Sequence, residues 1–156
     1  FRRVLSIFVH AECLATGADS RILEPSILRI RTHEELLRTW NRHKGLTSEA
    51  PPVVMKSTPK VDFDRWEVLA IFGGAAIQTN GIRIVEGMDE GNVRRVRFDS
   101  LSYQTSSNGG VARIRRPEGG EFGFFLLPRT EREMVVEEDV QNLIGEPPVW
   151  ELRARL

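Results

Sequence analysis

The chain predicts an α+β, mainly β fold: an antiparallel β-sandwich or partly open barrel with one packed α-helix at about 33–44. Three observations lead there. From Val61 onward, short apolar or alternating runs recur between glycine-rich turns, the mark of antiparallel strands. A single segment carries helical periodicity behind a capping signal. The 156 residues, 40% of them hydrophobic, are enough to close a core without a disulfide or a metal.

In chain order, Val4–Val9 reads as a strand. Arg2 and Arg3 ahead of it resemble the start of a signal peptide, but His10 and Glu12 interrupt the apolar run. The first residue is Phe rather than Met, so a processed form is expected, from which any secretion signal has gone. Ser26–Ile30 reads as a short strand. Thr32-His33-Glu34-Glu35 is a capping box: the Thr32 hydroxyl accepts from the Glu35 amide, and the Glu35 carboxylate reaches back to the Thr32 amide. Leu36, Leu37, Trp40 and the edge of His43 then form one stripe, Trp40 docks it, and Gly45 ends the helix. Thr47–Lys60, with Pro51, Pro52 and Pro59, reads as an extended surface linker.

Trp66–Phe72 is almost wholly apolar, as a strand covered on both faces would be, and Gly73-Gly74 closes it. Gly81–Val85 alternates. In Val93–Tyr103, Val96 and Phe98 share one face and Leu101 and Tyr103 the other, so a bulge near Asp99-Ser100 is expected. Val111–Arg115, Phe122–Leu127, Glu133–Val136 and Val149–Leu156 read as further strands, and Val140–Ile144 as a helical turn. The whole, 1–156, is expected to be one domain, with 1–24 as an N-terminal strand and extension.

Composition excludes several classes. Basic and acidic residues number 22 each, which argues against wholesale binding of nucleic acid. No run approaches the length of a membrane-spanning helix. Cys13 is the only cysteine, so no intramolecular disulfide and no thiolate metal site is expected. Charge is distributed unevenly: 83–116 holds seven Arg against four acids, and 117–156 four Arg against nine acids.

Few residues suggest reaction chemistry. His33 and His43 stand ten apart rather than at the i, i+4 spacing of a metal pair, and both read as helix-surface histidines. Cys13 near His10 has no recognisable third partner and reads as a small, partly buried apolar residue. Asp62 and Asp64 would share a strand face, but they lack a designated partner, and Asp64 looks as much like a turn or cap residue. The glycine pairs Gly73-Gly74, Gly109-Gly110 and Gly119-Gly120 lack a phosphate-loop pattern and suit hairpin turns. No catalytic residue, metal or cofactor is expected. Arg95 and Arg97 share a face, as do Arg113 and Arg115, so a hairpin would present four guanidinium groups to an anionic ligand. A solvated face balanced by Glu131–Asp139 is the favoured alternative.

Leu36, Leu37, Trp40 and His43, then Val61-Asp62-Phe63, then Val68–Gly74 and the loop Gln78-Thr79-Asn80-Gly81-Ile82 together resemble the C-terminal domain family of the protease-complex subunit PrcB. The resemblance spans roughly 25–127. It implies an exported bacterial protein, periplasmic or at the cell surface, that binds and stabilises a protease and has no catalytic chemistry of its own. Asn80 replaces the first glycine of the family's Thr-Gly-Gly-Tyr-like loop and Ile82 its aromatic residue, which puts the specificity of that loop in question. A weaker likeness, to chagasin-type inhibitors of cysteine proteases, rests on the order of Gln78–Gly81, Ser107–Gly110 and Arg116-Pro117. The expectation is therefore a non-enzymatic protein-binding module. Its partner-binding residues would be Gln78, Thr79, Asn80, Gly81, Ser107, Asn108 and Gly109.

Overall fold

A computed structural model of the chain describes residues 5–46, 54–76, 79–102, 119–141, 143 and 145–156. The elements are β1 (Ser6–Phe8), β2 (Glu12–Ser20), β3 (Ser26–Ile30), α1 (His33–His43), β4 (Trp66–Ala75), β5 (Thr79–Glu90), β6 (Val93–Ser102), β7 (Gly120–Pro128), β8 (Glu133–Asp139) and β9 (Trp150–Arg155). They form a five-stranded sheet, β1-β5-β6-β8-β9, and a four-stranded sheet, β2-β7-β4-β3. The two sheets pack together without closing into a barrel, which makes the fold a mainly β sandwich with one helix. All pairs are antiparallel except β6 with β8. That pair is parallel because the chain leaves β6, runs through β7 in the other sheet, and returns.

The helix begins as its sequence dictates, with the Thr32 hydroxyl accepting from the Glu35 amide at 3.2 Å. The return arm of the box differs, because Glu35 Oε2 takes the Arg31 amide at 3.0 Å instead of that of Thr32. The helix ends on a Schellman motif: the Leu46 amide bonds the Asn41 carbonyl and the Gly45 amide the Arg42 carbonyl, with Gly45 at a φ of 84° that suits glycine.

Because β4 lies inside the four-stranded sheet, alternation along it feeds two cores. Val68, Ala70 and Phe72 join Phe122, Phe124, Leu36 and Trp40 beneath the helix. Leu69 and Ile71 join Ile82, Val96, Phe98, Phe125, Leu127, Met134 and Val136 between the sheets. The four-stranded sheet is thus the middle layer of three, which explains why Trp66–Phe72 reads as apolar throughout.

The strands depart from the sequence reading in four places. β4 does not close at Gly73-Gly74; its register shifts there and it continues to Ala75. The phase change expected in β6 near Asp99-Ser100 is taken up by β5, which carries an extra residue at Val85, opposite the step from Phe98 to Arg97, and another before Ile82. Glu12–Ser20, read as part of an extension, is the edge strand β2. Val140 and Gln141 are not helical. The linker at 47–53, the strand at Val111–Arg115 and Tyr103 lie outside the described residues.

Candidate functional site

The strands bring two unlike ends to the sandwich. At one end, where β3 stops, β4 starts and β5 turns into β6, arginines close the space between the sheets. Glu67 is fully buried and ion-pairs with Arg29 at 3.0 Å and Arg31 at 3.4 Å. Arg29 also donates to the carbonyls of Thr130 at 2.7 Å, Arg132 at 2.9 Å and Leu156 at 3.2 Å. Nearby, Arg94, 3% exposed, forks onto Asp89 through Nε at 2.7 Å and Nη2 at 3.0 Å, and donates to the Pro128 carbonyl. The Arg94 hydrogen bond holds the Asp89 carboxyl below its usual range.

The opposite end carries the segment read from sequence as a loop; its described residues, Thr79–Gly81, instead open β5, where the register with β6 shifts between Thr79 and Ile82. Thr79 and Gly81 are buried and Asn80, between them, is exposed. The Gly81 amide donates to Thr79 Oγ1 at 3.1 Å, and the Thr79 hydroxyl donates to Glu121 Oε1 at 3.0 Å. One residue on, the Ile82 amide donates to Thr16 Oγ1 at 2.9 Å, and that oxygen lies 3.0 Å from the Phe122 carbonyl. Gly81 is at φ 125°, and a Cβ there would collide with Thr16 Oγ1 and stand 2.6 Å from the Gly17 amide nitrogen. Glycine is therefore required where β5 crosses β2 in backbone contact. The segment is thus held against β2 and β7 of the four-stranded sheet, and of its described residues Asn80 is exposed.

Beside this loop, a pocket of about 500 Å³ opens between the sheets, lined by Ile27, Ile71, Phe98, Glu121, Glu138 and Arg153 among others. Arg153 is held by Glu138 at 2.7 Å and Glu151 at 3.0 Å. Glu121, 9% exposed, has the Thr79 hydroxyl as its hydrogen-bond donor and pairs with no cation among the described residues.

The other sequence candidates fall elsewhere. Arg95 and Arg97 lie together on the outer face of the five-stranded sheet, and both ion-pair with Glu137, at 3.0 and 3.1 Å. Glu90 takes Arg95 at 3.1 Å, Glu86 takes Arg97 at 3.3 Å, and the Arg97 guanidinium stacks over Trp150 at 4.8 Å. The charges of Arg95 and Arg97 are thus balanced in place by Glu137 of β8 and by Glu86 and Glu90 of β5. Gln78, Ser107, Asn108, Gly109, Arg113 and Arg115 lie outside the described residues.

Three minor readings are corrected. His43 is not on the helix surface; it is 1% exposed, enclosed by Trp40, Phe72, Phe122 and Phe124, with Nδ1 2.8 Å from Ser20 Oγ. Desolvation pushes its pKa down to about 4. Ser20 is fully buried beside it, so the pair is a packed interior contact, which the spacing of histidines alone had no means of revealing. Cys13 is exposed, since β2 is an edge strand with a neighbour on one side only. Asp62 and Asp64 do not share a strand face; Asp64 lies in a turn, as its alternative reading had it, and Asp62 Oδ1 accepts from the Asp64 amide at 3.1 Å. The sequence reading missed Glu121; the signal available was an acid standing alone between Gly119-Gly120 and a Phe-rich strand.

Among the described residues, no group of three or more His, Cys, Asp or Glu side chains is arranged to hold a metal ion, and no helix is long and apolar enough to cross a membrane. The fold and this end of it define a helix-backed β-sandwich with a braced loop beside an acidic pocket. Compared with known proteins, the chain matches no family model, no curated protein and no solved structure.

Proposed function

We propose that this chain is a non-enzymatic binding module that contacts a protein partner through the end of the sandwich carrying Thr79–Gly81. The observation that carries this reading is the bracing of the loop. The Thr79 hydroxyl donates to Glu121, the Gly81 amide to Thr79 and the Ile82 amide to Thr16 while Asn80 stands out, so little conformational entropy is lost when this segment is docked. The resemblance of 25–127 to the PrcB C-terminal domain family favours a protease, or a complex containing one, as the partner, and with it an exported location. The expected role is to stabilise that partner rather than to act on a substrate.

The test places a photo-cross-linking amino acid at position 80 or, as a control, at Arg38 on the exposed side of α1. Both forms are exposed to extract of the source cells. A protease or protease-associated protein joined at position 80 but not at position 38 supports the reading. Equal cross-linking at both positions, or none at position 80, removes the loop as a contact.

A further inference from the structure

We infer that the pocket beside the loop takes an alkylammonium group, with Glu121 as its counter-ion, and that its source is a lysine side chain of the protein partner; the choice of source rests on the binding-module reading above. Glu121 is 9% exposed. Glu121 lies on the face of β7 that looks between the sheets, in line with Gly123, Phe125 and Leu127. Charged groups removed from water are ordinarily paired, and the other buried carboxylates, Glu67 and Asp89, each hold arginines. Glu121 has a threonine hydroxyl on Oε1 and no cation among the described residues.

The pocket of about 500 Å³ that Glu121 lines leaves room for a cation. Residue 73 on β4 is glycine, and a Cβ there would stand 2.5 Å from Glu121 Oε2, so the carboxylate lies directly against the β4 backbone. The walls supply the rest of the specificity. Ile27, Ile71 and Phe98 are apolar and suit an unbranched methylene stem. Arg153, the one cation on the wall among the described residues, is held by two carboxylates, Glu138 and Glu151, so it is not available as a counter-ion for Glu121. A pocket with apolar residues on its walls and a carboxylate that has no cation among the described residues selects a cation on a flexible aliphatic stem over neutral and anionic groups. The Thr79 bond to Glu121 places this site directly behind the loop, so a lysine flanking the loop contact would reach it without a change in either sheet.

The experiment follows backbone amide NMR signals of the whole chain during titration with three probes: Nα-acetyl-lysine methylamide, its uncharged analogue Nα-acetyl-norleucine methylamide, and 1,5-diaminopentane. The expected result is saturable shifts at Ile27, Ile71, Phe98 and Glu121 with the lysine probe and at least tenfold weaker binding of the norleucine probe. Glu121→Gln, which keeps an acceptor for Thr79, should weaken lysine binding at least tenfold with the rest of the spectrum unchanged. Equal affinity for lysine and norleucine probes, or no shifts at these residues, overturns the inference, and this comparison needs no variant. Tighter binding of 1,5-diaminopentane than of the lysine probe overturns the peptide source in favour of a free amine. The two readings fail separately: cross-linking at position 80 without probe binding removes only the pocket, and probe binding without a cross-linked partner removes the partner and its lysine while leaving an amine site.

Discussion

The two ends of the sandwich solve the same physical problem in opposite ways. Each must terminate the space between two sheets where strands run out. At the Arg29 end, buried carboxylates and guanidinium groups are matched, and spare N–H donors cap the carbonyls of the 128–132 turn. At the Thr79 end, glycines bring backbones into contact, a pocket stays open, and Glu121 has a hydroxyl donor and no cation among the described residues. The difference teaches that one end is closed by paired charges while the other, among the described residues, holds a buried carboxylate without a cation. Matched charges hold a structure shut only as long as both members remain, whereas an unmatched one costs free energy that a ligand can recover.

The largest effect should come from unbalancing the closed end. Glu67→Gln leaves Arg29 and Arg31 facing a neutral amide in a desolvated site, and should cost about 3–5 kcal/mol in a urea or guanidinium unfolding titration. A loss below about 1 kcal/mol would show that solvent reaches this network and that the contrast between the ends is weak.

His43 provides a second comparison, between the helix-covered core and both ends. Its pKa is about 4 when folded and 6.5 as the reference for the unfolded chain, so at intermediate pH the unfolded state binds a proton that the folded state does not. Stability should therefore fall as pH is lowered from about 6.5 toward about 4, by about 2 kcal/mol between pH 7 and pH 5. In His43→Leu this part of the slope should vanish. Asp89 acts at more acidic pH: its folded value is depressed, so its contribution is present above the ordinary carboxylate range and is lost as pH falls below it.

At the open end, Gly81→Ala should destabilise by more than about 1 kcal/mol, because the backbone conformation and the contact with β2 both exclude a side chain. Thermal unfolding measures this, and a neutral result would mean that β5 separates from β2 at little cost. The smallest effect belongs to Glu121→Gln. Replacing an unmatched buried carboxylate by an amide that still accepts from Thr79 should change stability by less than about 0.5 kcal/mol, or raise it. A loss as large as that of Glu67→Gln would show that Glu121 is structurally paired and would erase the distinction between the ends.

Where one local rule decides the outcome, this sequence is plain to read. Thr32 and Glu35 set where α1 starts and Gly45 where it stops, because a cap is satisfied within a few residues of itself. The apolar run at Trp66–Phe72 requires cover on both faces whatever supplies it, and the close spacing of turns and strands implies a sandwich. The charge pattern announced that Arg95 and Arg97 share a face.

Tertiary structure decided the rest, since partners distant in sequence determine it. Glu12–Ser20 lacks the alternation of a strand and becomes one through its pairing with β7. A bulge changes phase in whichever strand has room, and that strand is β5, not β6. His43 is interior because Phe72, Phe122 and Phe124 come from two other strands to enclose it. Above all, that Glu67 is ion-paired and Glu121, among the described residues, is not depends on which residues the strands bring to each end. Desolvation and ion pairing are properties of that assembled neighbourhood and leave no mark on the local order of residues.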